Sequence, residues 1–404
     1  MSCKDLISIL SKDNNIKKFI WTKVNYSILE IKDIDETQTC SKKELNYPNL
    51  IIQLDEGVYT TNAAFISSEG TINYKNLKNL NISNLKINEN STSYLDTSKH
   101  IEHKKFNYDE YKILDWLSRE KEIIRNKINE DFNIGFKLIY KQKINKISEN
   151  KPCVNTIISK DKLTCEISIF TRKTYRFYNN KNIKLFSSIG DEIYENLIKN
   201  DENLQAKELK GKYILENNVV IKLINIILES LSGERVLSEQ SAFNVNLLNK
   251  KVFSSKLSIF QKKTSPLELD DEGMPISDGY LIKDGTFKNY IVTLEQSIIL
   301  NQTAYGNCEI NSEGKLQAKY SSLIVSTDEV DEYSQNIIQD IKILGIDFQN
   351  MNISIIANHM IKKSKFKSKI ITLNLIEFLN SAKEIRGTKS RVDDILVGNF
   401  IYEF

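Results

Sequence analysis

The sequence predicts an α+β chain of two domains, in which largely antiparallel sheets carry packed helices, and three features point to it. Apolar runs alternate with polar residues through positions 1–75, helical periodicity marks 108–130 and 219–231, and an Asp-Gly turn within 280–292 folds two strand-like runs together. At 404 residues the chain is long enough for two domains with cores of their own. The polar, partly helical stretch 190–211 holds the expected boundary, near 195–208, and divides the chain into 1–200 and 201–404.

In the first domain, Phe19-Ile20-Trp21, Ser27 to Ile31 and Asn49 to Leu54 read as strands of an antiparallel sheet with one solvent face. Residues 76–105 are rich in Asn and Ser and read as a long loop. Residues 108–130 place Tyr111, Ile113, Leu114, Leu117, Ile123, Ile124 and Ile128 at helical spacing with charges between, which predicts a surface helix. Strand character returns at 135–146 and 152–188.

The second domain opens with Tyr213, Ile214 and Leu215 as a short strand, and then a helix from about Val219 to Leu231 that is apolar on most sides and so expected to be buried. Asn217 or Asn218 can accept a hydrogen bond from a first-turn N–H, and Gly233 is the expected C-terminal stop. Glu229 lies near the end of this helix, where an ionised carboxylate needs a partner, solvent or a wet cavity. Val252-Phe253 and Leu257 to Phe260 read as strands leading to Glu268, Asp270, Asp271, Glu272 and Gly273. These carboxylates could bind a hard cation, but their spacing is not that of an EF-hand loop, and an acidic turn is the plainer reading. Tyr280 to Val292 then forms the Asp284-Gly285 hairpin. Lys362 to Lys369 is a basic run with one aromatic between two strand-like segments, and reads as a solvated hairpin end before a phosphate contact.

Composition narrows the function. A net charge of +3 with acid and base nearly balanced gives no argument for nucleic acid or an anionic membrane. Five scattered cysteines, Cys3, Cys40, Cys153, Cys165 and Cys308, suit reduced thiols. The apolar run near the N-terminus is short for a signal peptide, and no segment reaches the roughly 18 apolar residues of a membrane span, so a cytoplasmic location is expected. The three histidines are His100, His103 and His359; the first two form a weak metal-ligand spacing in a polar linker, and the third stands alone.

Taken in order, LSGERV (231–236), SAF (241–243), VFSSKLSI (252–259), DDEGMPISDGYLIKDGTFKNYIV (270–292) and Thr303 to Asn307 resemble the core of the TldD/PmbA metallopeptidase family. The resemblance covers 201–404, and the first domain matches only in general character. It implies the family's two-domain α+β architecture of twisted sheets. In the TldD branch, His-Glu-x-x-x-His near the end of this helix binds zinc, and the glutamate serves as general base. This chain reads Leu228-Glu229-Ser230-Leu231-Ser232-Gly233 instead, with Leu228 and Gly233 where the imidazoles would be, and so resembles the TldE/PmbA branch.

The resemblance therefore implies a metal-free subunit, with no catalytic or metal-binding residue of its own, of a heteromeric zinc peptidase that degrades or matures unfolded peptides. Zinc is expected in a TldD-type partner, and the other expected partner is an extended peptide, with neither nucleic acid nor membrane. Glu229, Asp270, Asp271 and Glu272 are the candidate groove-facing or partner-facing residues. Two alternatives stand beside it: a stand-alone peptide-binding or maturation scaffold, and a hydrolase in which Glu229 with Asp270 or Asp271 holds a hard cation.

Overall fold

The computed structural model describes Leu10 and residues 16–34, 37–54, 57–61, 78–79, 108–128, 131–148, 156–171, 177–180, 183–199 and 209–404, except 265–267, 312, 314, 361–366 and 393. Most of the predicted loop 76–105, with His100 and His103, most of the predicted boundary, and the turn of the basic run lie outside these residues; the part of that loop that is described, Lys78–Asn79, is a short strand and not loop.

Seven strands build the first sheet: β1 (Lys18–Ile34), β2 (Thr37–Leu54), β3 (Gly57–Thr61), β4 (Lys78–Asn79), β5 (Phe132–Ser148), β6 (Thr156–Thr171) and β7 (Phe177–Asn180). They run in the order β4-β3-β2-β1-β5-β6-β7, antiparallel throughout. The expected solvent face fails at β1. Leu29 and Ile31 pack into a core beneath α1 (Glu110–Arg125) and α2 (Gly190–Lys199), while Val24, Tyr26 and Ile28 on the alternate face meet Ile310 of the other domain. A central strand covered on both faces loses the simple in-and-out pattern that sequence reading relies on.

The helix predicted over 108–130 is α1, capped by Asp109, whose carboxylate accepts from Lys112 N at 3.3 Å. Its buried side is Ile113, Trp116, Leu117, Glu120 and Ile124, so the stripe runs through Trp116 and leaves Tyr111 exposed. Buried Glu120 accepts from the N–H groups of Ile189 and Gly190 at 2.8 and 2.6 Å, satisfying free donors where α2 begins.

The region expected as the second domain holds β8 (Lys212–Leu215), β9 (Ser258–Lys262), β10 (Gly279–Lys283), β11 (Thr286–Phe287), β12 (Cys308–Ile310), β13 (Leu316–Ala318), β14 (Ser322–Ser326) and β15 (Glu329–Val330). It continues with β16 (Ile337–Asp347), β17 (Asn352–Met360), β18 (Lys367–Asn374), β19 (Lys383–Ile385), β20 (Ser390–Val392), β21 (Ile395–Val397) and β22 (Phe400–Glu403). These strands form a six-stranded sheet in the order β11-β10-β9-β14-β21-β20, a seven-stranded sheet in the order β15-β19-β22-β8-β16-β17-β18, and the separate ribbon β12-β13. Most pairs are antiparallel; β14–β21, β15–β19 and β8–β16 are parallel. The fold is mixed α+β.

Helix α3 (Asn217–Ser230) packs against β16 of one large sheet and β20 and β21 of the other, which accounts for its nearly all-round apolar surface. Three shorter helices follow: α4 (Gly233–Leu237), α5 (Leu294–Ile299) and α6 (Leu375–Ser381). The predicted hairpin is present, with Lys283 opposite Thr286 across Asp284-Gly285, although its second strand stops at Phe287. The two strands expected around the basic run are β17 and β18, paired antiparallel. No helix among the described residues is long and apolar enough to cross a membrane.

Candidate functional site

Two openings flank the segment Gln317 to Tyr320, and all four candidate residues lie at or beside them. The larger, a cleft of about 530 Å³, sits at the C-terminal end of α3 and is lined by Asn225, Glu229, Arg235, Gln240, Lys319 and Tyr320 among others. The smaller, of about 270 Å³, lies between the domains and is lined by Lys141, Lys143 and Lys162 on one side and Asp270, Asp271, Cys308 and Glu309 on the other. Lys319 and Tyr320 line both.

Helix α3 sets the first opening. It ends at Ser230, three residues before the expected stop, and Leu231 takes the capping position. Gly233 instead starts α4 and donates its N–H to Ile291 O at 2.8 Å. A Cβ there would lie 2.6 Å from Gln296 Oε1 and 3.0 Å from Val292, so the glycine serves close approach between chain segments and not a left-handed helix end. Asn217 and Asn218 each accept a first-turn N–H, from Asn218 and Val219, but both sit inside the helix. The residue at the cap is Glu216, whose side chain makes no capping hydrogen bond, and the N–H of Asn217 goes to Asn399 Oδ1 at 2.9 Å.

On this helix Leu228 is buried, and Glu229 is exposed and faces the cleft. Its carboxylate is paired with Arg235, whose guanidinium stacks 3.5 Å from the centre of the Phe348 ring. Glu229 thus has both of the outlets expected for a carboxylate in this position, solvent in the cleft and an arginine six positions on. Across the cleft, Tyr320 Oη donates to Asn225 Oδ1 at 2.6 Å.

Asp270, Asp271 and Glu272 form a turn buried against the first sheet. Asp270 Oδ1 accepts from the N–H groups of Glu272 and Met274 at 2.9 and 2.8 Å, and Oδ2 from that of Cys308 at 3.1 Å. Asp271 accepts from Ile310 N at 2.9 Å and pairs with Lys141 at 2.5 Å and Lys143 at 3.3 Å. Glu272 accepts from Leu294 N at 2.8 Å. Gly273 closes the turn with φ of +87°, and a Cβ there would lie 2.8 Å from Thr22 Oγ1 of β1, so the turn seats directly on the first sheet. The acidic turn expected from sequence is real, but its carboxylates are taken up by backbone amides and lysines, and it faces the inter-domain opening.

The electrostatics follow from this seating. Burial and the neighbouring Glu272 push the Asp270 carboxyl well above its ordinary range, and burial does the same to Glu272. Burial alone would raise Glu309, but the ammonium groups of Lys141 and Lys319 outweigh it and hold that carboxyl down at about 2. Burial also pushes the Cys308 thiol up, so it is no nucleophile at neutral pH.

Glu229 and the Asp270–Glu272 turn line different openings and converge on no common point. Among the described residues, no group of three or more His, Cys, Asp or Glu side chains is placed to hold a metal ion. His359 lies on β17, buried and edge-on to the Tyr213 ring at 6.2 Å. Cys40, Cys165 and Cys308 are free thiols, and Cys3 and Cys153 lie outside the described residues. Sequence reading missed Asn225, Arg235, Lys141 and Lys319, because each acquires its role from a residue far away in the chain or on another element; only Arg235, within LSGERV, carried a local signal.

Residues 210–396 match the family described as the PmbA/TldA metallopeptidase C-terminal domain. Over its whole length the chain has the fold of three solved structures. TldE from Thermococcus kodakarensis matches with 14% identity and a TM-score of 0.60, covering 99% of this chain and 98% of that one. A proposed modulator of a DNA gyrase from Thermotoga maritima matches with 12% identity and a TM-score of 0.63, at 99% and 98%. A second proposed gyrase modulator, from Bacteroides thetaiotaomicron, gives 13% and 0.57, at 98% and 96%. No curated protein matches the chain by sequence.

Proposed function

We propose, for a chain that belongs to the TldD/PmbA family by its C-terminal domain and its fold, that it is the metal-free, TldE-like subunit of a heteromeric zinc metallopeptidase acting on unfolded peptides. The observation that carries this reading is the end of α3. Where the family's zinc motif would place imidazoles, this helix and the turn after it present buried Leu228 and close-packed Gly233, and the one retained acid, Glu229, is held by Arg235. These residues do not fit zinc: a leucine and a glycine offer no ligand atom, and an arginine-paired carboxylate is neither a ready metal ligand nor a ready base.

In this reading the zinc and the general base belong to a TldD-type partner carrying His-Glu-x-x-x-His, and this subunit helps to enclose the peptide. Extended peptides suit such an enzyme because strand addition to a sheet edge uses main-chain hydrogen bonds and asks little of sequence. Glu229 and its cleft are the candidate partner- or groove-facing surface. The hydrolase alternative draws no support from the geometry, since Glu229 and Asp270 or Asp271 line separate openings and are already bonded. A cytoplasmic location accompanies the proposal.

The test is purification of the tagged protein from its own cells under native conditions, with mass spectrometry of what accompanies it and metal analysis of each species. A stoichiometric partner carrying His-Glu-x-x-x-His, zinc in the complex and none in the isolated chain are expected. A homo-oligomer with no such partner would turn the reading to the scaffold alternative, and stoichiometric metal in the lone chain would overturn it.

A further inference from the structure

The ribbon β12–β13 stands apart from both large sheets of the second domain: its two strands pair only with each other, over three residue pairs. A two-stranded ribbon is marginal by itself in water, so its position depends on what grips each side. On the β12 side the grip comes from the first domain. Ile310 is buried with Val24, Tyr26 and Ile28, and Tyr26 Oη donates to the Ile310 carbonyl. Lys141 donates to Asp271 at 2.5 Å and to Glu309 at 3.2 Å, and Asp271 in turn accepts from Ile310 N.

On the β13 side the grip comes from the second domain. Ala318 and Tyr320 pack on its core, and Tyr320 Oη bonds Asn225 of α3. Lys319 ties the two sides together through Glu309 at 2.5 Å. The same short segment, Gln317 to Tyr320, is one wall of the cleft beside Glu229.

Polar contact of this kind is a poor choice for simple adhesion. Well-packed apolar residues would join the domains without desolvating Lys141, Asp271 and Glu309, whose side chains are only 14%, 4% and 23% exposed. Polar inter-domain contacts are those across which relative movement is the ordinary expectation. We propose that the β12–β13 ribbon is a strap that couples the position of the first sheet to the wall of the cleft at the end of α3, with Lys141 as its latch. Movement of the first sheet then shifts β12, and β13 with it, so that the opening beside Glu229 widens or narrows. Lys141 is a positioning residue in this device.

Hydrogen–deuterium exchange on the full chain tests it, independently of any partner. Lys141→Met removes the latch, yet leaves Asp271 with Lys143 and Ile310 N, and Glu309 with Lys319, so no carboxylate loses all its partners. Exchange at 316–320, to which Lys141 is linked through Glu309 and the ribbon, should rise by about tenfold or more while 217–230 stays protected. Lys162→Met, at the exposed position opposite Lys141 on β6, should change neither. Acceleration confined to 308–310, or spread equally through 217–230, would overturn the strap. If Lys141→Met fails to fold, Tyr26→Phe removes the hydroxyl's bond to the Ile310 carbonyl and its contact with the Lys141 ammonium while keeping the ring in place, and should give a smaller rise in the same segment; no rise there would equally overturn it.

Discussion

Gly233 shows how little a single residue's identity says until its neighbours are known. Following an apolar helix it reads as a stop, whereas its place in the structure is set by Val292 and Gln296 approaching from another segment. Gln296 Oε1 is also occupied in the capping box of α5, where it accepts from Thr293 N at 3.0 Å. Gly233→Ala is therefore expected to cost about 1–3 kcal/mol by overpacking, measured by urea denaturation, although alanine is the better helix former. A change within about 0.5 kcal/mol would show that the close approach relaxes at little cost. Glu229 makes the complementary point. Sequence asks that it reach a partner, solvent or a wet cavity; it lies exposed in the cleft and is also paired, with Arg235, which is close in the chain but must be brought round by the turn into α4.

At the scale of elements, α3 was readable because its burial writes itself into composition: Val219, Val220, Leu223, Ile224, Ile226, Ile227 and Leu228 are all within a few per cent of full burial. Its start was not readable, because the group that satisfies its first N–H, Asn399, arrives from the end of the chain. Asn399→Ala is expected to lower stability by about 1 kcal/mol, as loss of a helix cap does, with little change at the N-terminal sheet by exchange. An unchanged denaturation midpoint would mean that water or a neighbouring side chain takes over the donor. The Asp284-Gly285 hairpin was recovered from two residues alone, since those two adopt φ of +50° and +75° and fix the register by themselves.

For the whole molecule, the contact between the first sheet and the C-terminal half includes an electrostatic arrangement with a definite acid response. Glu309 has a folded-state pKa held at about 2, below its ordinary 4.5, so its contribution is fully present above about 4.5 and is lost as pH falls through that window. Asp270 and Glu272 act in the opposite sense: burial raises them, so they oppose folding increasingly as pH rises past the ordinary carboxylate range. Glu309→Gln should accordingly flatten the loss of stability between about pH 4.5 and pH 2, followed by thermal unfolding in a pH series. Parallel curves for the parent and variant would remove Glu309 from the account. The same contact explains the misread sheet, because β1 is covered by α1 on one side and by the second domain on the other.

The mixed α+β class, the buried helix, the acidic turn and the lack of histidine on α3 are all written in residues near one another in the chain. What those pieces face came from folding. It set the acidic turn against Lys141 and Lys143, gave Glu229 its cleft, and suspended the β12–β13 ribbon between two domains. The physical reason is that a carboxylate's charge state, exposure and partners depend on groups brought within a few ångströms by folding, whereas periodicity and turn chemistry act over a handful of consecutive residues.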